Sequence, residues 1–163
     1  MLTFNGLPAH ILLVHFIVVL APLTAILAIA AAVARPVRAR LVWLIAALAA
    51  ITAVLTPLTT EAGEWLEKRV PRSEAVHTHT ELGDSMVYFS VALAVVAAAL
   101  VVVHLRERRG GSAGRALSVA VVVLAIVVGV ATMVQVYRIG DSGARATWGD
   151  VSTASTATPD SDE

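Results

Sequence analysis

Four uninterrupted apolar runs, at about residues 9–34, 41–60, 82–104 and 116–137, constrain this chain more than any other feature. Each comes close to the roughly 20 residues a helix needs to cross a hydrocarbon core. In lipid an unpaired backbone N–H or C=O costs several kcal/mol, and an open strand finds no water to satisfy it, so each run must be helical. A hydrophobic fraction of 58% and a mean hydropathy of +0.81 exceed the roughly 45–50% apolar content of a soluble domain. The expected architecture is all-α: a four-span transmembrane bundle over residues 1–150, integral to the cell membrane. The tail 151–163, rich in Ser, Thr, Ala and Asp, is expected to be disordered.

The first run carries Ala32-Val33-Ala34, which imitates a signal-peptidase site. No Lys or Arg precedes it, however, and the run is too long for a signal-peptide core. It reads as a span. Arg35, Arg38 and Arg40 fill the first connection, and Arg106, Arg108, Arg109 and Arg115 fill the third, so both short loops are expected on the cytoplasmic side. Lys68, Arg69 and Arg72 lie in a longer connection mixed with acidic residues. Both termini are then expected outside, on the extracytoplasmic side.

A formal net charge of zero gives no long-range attraction for nucleic acid, and the basic residues are accounted for by membrane orientation. The chain has no cysteine, which excludes disulfides, thiolate metal sites, iron–sulfur ligation and covalent c-type haem. Any metal must be held by His, carboxylate or backbone oxygen. No phosphate loop or nucleophile elbow is present, and no catalytic residues are assigned.

Polar side chains within a span are costly and invite a functional reading. His15 lies roughly 12 Å along the first helix if that helix starts near Leu7. His10 points roughly 140° away from it, so the two cannot easily ligate one ion. Thr78 and Glu81 have capping-box spacing, which places His79 in the first turn of the third helix and His77 in the loop before it. Glu61 and Glu64 share a face at the end of the second helix, near Pro57, and either could accept from a His N–H or hold an ion. Glu64 could equally pair with Lys68. In the fourth run, Gly140-Asp141-Ser142-Gly143 reads as a tight turn or a helix stop. His104, beside the third connection, reads as an interfacial residue at the opposite end. One outer haem is therefore compatible with these histidines, whereas a two-haem wire is not.

Three segments together resemble motifs of small bacterial membrane proteins grouped as domain of unknown function 2231. They are Leu7-Pro8-Ala9-His10-Ile11-Leu12-Leu13-Val14-His15-Phe16 followed by Pro22, His79-Thr80-Glu81-Leu82-Gly83-Asp84, and Arg138-Ile139-Gly140-Asp141-Ser142-Gly143-Ala144. The resemblance covers about Leu7 to Trp148 and implies four spans. Relatives that carry a Rieske-type iron–sulfur domain imply membrane redox chemistry by association. His10, His15 and His79 match family histidines, while Ile11 stands where relatives usually have Pro and Asp141 where many have His.

Three functional readings follow. In the first, the protein is redox-associated and binds one b-type haem or one metal ion, with His15, His79 and His10 as cofactor ligands and Glu64 or Asp141 joining for a bare ion. In the second, it is a non-catalytic membrane subunit or assembly factor whose polar cluster is structural. The third is a small ion or proton carrier. The partners expected are the lipid bilayer, and a membrane redox protein or a second copy of the chain.

Overall fold

The computed structural model describes residues 3–4, 7–71, 73–111 and 114–154, with side chains from His10 to Gly149 within those ranges. A two-residue ladder opens the chain: β1 (Thr3–Phe4) pairs antiparallel with β2 (Leu7–Pro8), Phe4 facing Leu7. Four helices follow, α1 (Ala9–Val33), α2 (Arg35–Glu67), α3 (Glu74–Arg108) and α4 (Arg115–Ala154). α1 packs on α2 and α4, and α3 packs on the same two, closing an up-down-up-down bundle. All four are long and apolar enough to cross a membrane. α1 and α3 begin at one end, called the His end below; α2 and α4 begin at the other, the Arg end.

Three helices outrun the apolar segments that announce them. α2, with 33 residues, extends roughly 50 Å at 1.5 Å per residue, well beyond a hydrocarbon core about 30 Å thick. α4 continues to Ala154, past residue 150; the rest of the polar tail, 155–163, lies outside the described residues, as does Arg72. Ser73, rather than Thr78, caps α3: its hydroxyl accepts from the Val76 N–H at 3.2 Å. His77 and His79 are therefore inside the helix, with His79 beyond its first turn. Gly140-Asp141-Ser142-Gly143 neither turns nor stops the chain, because α4 runs straight through it.

The bundle buries many small side chains around a few large ones such as Ile45, Leu93 and Leu100, and many other large side chains face outward. Ala21, Ala25, Ala28 and Ala31 of α1, Ala49 of α2, Ala97 of α3 and Ala125 of α4 are all buried, while Phe16, Val19, Val54, Val95 and Val127 are exposed. That distribution suits a lipid solvent, where close backbone approach supplies the packing and apolar surfaces can face outward at no cost. Buried threonines make no demand on their neighbours. Thr24, Thr52, Thr56, Thr59 and Thr132 each donate to the carbonyl four residues earlier in the same helix. Gln135 instead crosses between helices, donating from Nε2 to Leu82 O at 3.0 Å and Ser85 Oγ at 2.7 Å.

At the Arg end α1 and α2 are joined through Ala34 alone. Pro36 has no N–H to offer the Ala32 carbonyl. Arg38 meets that carbonyl instead: its buried guanidinium donates from Nη1 to Ala31 O at 2.7 Å and to Ala32 O at 3.3 Å. The same guanidinium makes a two-pronged pair with Glu107 of α3, at 2.7 and 3.3 Å, and Arg35 approaches Glu107 at 3.2 Å. Three helix ends are thereby tied together. α3 then stops in a Schellman turn: Gly110 N–H bonds Glu107 O, Gly111 N–H bonds Arg106 O, and Gly110 takes the left-handed φ of +73° that this cap requires. His104 is buried beside this cluster.

Candidate functional site

The His end encloses a cavity of about 570 Å³, within the range of about 300–1,000 Å³ typical of small-molecule sites. All four helices line it. Its apolar wall includes Val14, Ile17, Leu66, Met86, Val136 and Ile139, and its polar wall includes His10, His79, Thr56, Thr59, Thr60 and Asp84.

His10 of α1 and His79 of α3 come together here, their ring centroids 6.4 Å apart and their planes at 85°. Both are anchored through the same nitrogen. His10 Nδ1 lies 3.0 Å from Thr59 O in α2, and His79 Nδ1 lies 3.2 Å from Ile139 O in α4. A carbonyl oxygen can only accept, so Nδ1 carries the proton in each neutral ring and Nε2 keeps its lone pair. Ser142 strengthens the second anchor: its hydroxyl donates to Ile139 O at 2.9 Å and accepts from His79 Nδ1 at 3.0 Å.

The two anchors repeat one local design. Four residues after each accepting carbonyl stands a glycine, Gly63 after Thr59 and Gly143 after Ile139. A Cβ on Gly63 would come within 3.1 Å of His10 Nδ1 and Cε1, and one on Gly143 within 3.0 Å of His79 Cε1. In each case the missing side chain opens the helix surface so that an imidazole from the preceding helix reaches the carbonyl. Neither hydropathy nor motif drew attention to Gly63 or Thr59, and Gly143 and Ile139 entered only within a segment read as a turn or helix stop; the available signal was a helix-interior glycine, which costs about 1 kcal/mol relative to alanine and so asks for a packing reason.

The remaining sequence candidates sit elsewhere. His15 is exposed and its Nδ1 meets Ile11 O of its own helix, so the structure does not bring it to His79. Glu61 and Glu64 are exposed and are not cavity residues. Asp141 is exposed and pairs with Arg145 one turn on, at 3.0 Å. The carboxylates on the wall are Glu67 and Asp84. His77 lies between Glu67 at 4.0 Å and Glu81 at 3.4 Å. Among the described residues no group of three or more His, Asp and Glu is placed to hold a metal ion.

Fold and site together define a membrane protein of four helices long and apolar enough to span, with a two-histidine cavity at one end of its bundle. The chain belongs to the family described as "Predicted membrane protein (DUF2231)", whose model matches residues 6–156. No curated protein and no solved structure matches it.

Proposed function

We propose that this protein is a redox-associated membrane subunit that holds one b-type haem between His10 and His79. The observation that carries the reading is the paired anchoring of the two rings. An imidazole whose Nδ1–H is held by a carbonyl presents Nε2 as a fixed lone-pair donor, the arrangement found around metal-ligating histidines. The ring centres lie 6.4 Å apart, so both imidazoles would serve one bound group rather than two. Two protein ligands alone would suit a group that brings further donors of its own, as haem does. Bound there, a haem would supply one-electron exchange. The chain's part would be to fix both ring tautomers and to offer the macrocycle the valine, leucine and isoleucine wall.

The positive-inside pattern supports a cytoplasmic arginine-rich end and an outer His end in the cell membrane, where an extracytoplasmic redox partner would reach it. Glu67 and Asp84, with no lysine or arginine among the described lining residues, are the feature that favours a bare cation over haem. Elemental analysis separates the two. The protein, purified in mild detergent from cells supplied with a haem precursor, is expected to show a Soret band, sharp α and β bands on dithionite reduction, and about one iron per chain. A stoichiometric metal without a Soret band would contradict the haem and favour the ion.

A second reading has its own support, since His10 and His79 each tie one helix to the next. In that reading the protein is a non-catalytic subunit or assembly factor. A folded, haem-supplied sample without iron or Soret absorption, destabilised by His79→Ala, would favour it.

A further inference from the structure

The opposite end of the bundle carries a second cavity, of about 590 Å³, with a different character. It opens at the seam where α1 ends and α4 begins. Arg35, Arg38, Glu107 and Ser118 form its polar part, and Val33, Val103, Val119 and Val122 belong to its apolar part. Val33 and Val119 are 66% and 54% exposed, so the apolar part continues onto the lipid-facing surface.

The two arginines are held differently. Arg38 is buried and consumed by Glu107 and the two α1 carbonyls. Arg35 touches Glu107 through Nε at 3.2 Å, and its side chain is 75% exposed, which leaves its terminal nitrogens facing outward. Glu107 thus orients a second guanidinium at the mouth of an apolar groove. Around it the charge is one-sided: Arg35, Arg38, Arg40, Arg106, Arg108, Arg109 and Arg115 gather at this end against Glu107. Arg40 and Arg109 are exposed and do not line the cavity. A phosphate diester fits the guanidinium, and a hydrocarbon chain fits the valines below it.

We infer that this cavity binds one anionic phospholipid, its headgroup phosphate on Arg35 and one acyl chain along Val33, Val119 and Val122. The site fastens α1 to α4, the helix pair whose chain ends are farthest apart in sequence at this end of the bundle. It is independent of what the His end holds.

The test uses the full chain in nanodiscs of phosphatidylcholine doped with phosphatidylglycerol, with bound lipid counted by native mass spectrometry after release. Phosphatidylglycerol is expected to be retained at about one per chain in preference to phosphatidylcholine. Arg35→Gln is expected to weaken that retention about fivefold, the effect of losing one cation beside an anionic headgroup, while Arg40→Gln changes it by less than twofold. Glycerol phosphate at millimolar concentration is expected not to compete. Equal losses in Arg35→Gln and Arg40→Gln would show diffuse attraction and overturn the site. Equal retention of both lipids would overturn it as well, and competition by glycerol phosphate would overturn the lipid assignment in favour of a free phosphate ester.

Discussion

Gly143 lies directly beneath His79: an alanine Cβ at that position would stand 3.0 Å from the imidazole Cε1. Gly140, one turn earlier on the same helix, has nothing within 4 Å of its Cβ position. Gly140→Ala is therefore expected to be neutral or to stabilise by up to about 1 kcal/mol through helix propensity. Gly143→Ala gains the same propensity but pushes His79 off Ile139 O and Ser142, for an expected net loss of about 1–3 kcal/mol. Thermal unfolding of the two variants in one detergent compares them, and equal behaviour would mean that His79 is not held over Gly143.

Arg38 is the clearest single point of failure at the other end. Removing it leaves Glu107 with only the exposed Arg35 and strips Ala31 O and Ala32 O of their donor. Arg38→Met is expected to cost about 3–5 kcal/mol, the range for breaking a buried pair from one side. Adding Glu107→Leu is expected to restore part of that loss, because no carboxylate is then left short of a partner. Denaturation in mixed micelles measures the cycle, and a double variant weaker than Arg38→Met alone would go against it.

Gln135 joins α4 to α3 through the Leu82 carbonyl and the Ser85 hydroxyl. Gln135→Leu keeps the volume but removes both bonds. Leu82 O still accepts from Ser85 Oγ at 2.7 Å, so no acceptor is orphaned and the expected loss is about 0.6–1.7 kcal/mol, as for other hydrogen bonds between membrane helices. A loss above about 3 kcal/mol would show that the amide does more than bridge two helices.

The four spans were legible because lipid exposure demands long apolar runs, and hydropathy reports that demand directly. Helix ends were not. Glu61 to Glu67, Glu74 to Glu81 and Arg138 onward are too polar for hydropathy to extend the apolar runs through them, yet they stay helical because their backbone bonds continue. The Thr78–Glu81 spacing suggested a cap that Ser73 supplies instead, and the Gly140–Gly143 segment looked like a turn although its second glycine serves contact with His79. The histidines were visible as candidates, but choosing among them required knowing how each helix is rotated against its neighbours. His15 lies deeper along the first helix, yet rotation sends it outward; His10, pointing away from it, is turned to Thr59 and Gly63. Charge counting likewise found Arg35 and Arg38 as topology signals without revealing that Glu107, 69 residues after Arg38, gathers both.

The central claim is that His10 and His79, and not His15, form the ligand pair. The most direct test is the oxidised and dithionite-reduced absorption spectrum of three variants, His10→Ala, His79→Ala and His15→Ala, each purified from haem-supplied cells beside the unaltered protein. The account predicts that His15→Ala keeps the Soret band and the sharp reduced α and β bands, while His10→Ala and His79→Ala each lose the six-coordinate signature. A spectrum lost in His15→Ala and kept in His10→Ala would contradict it.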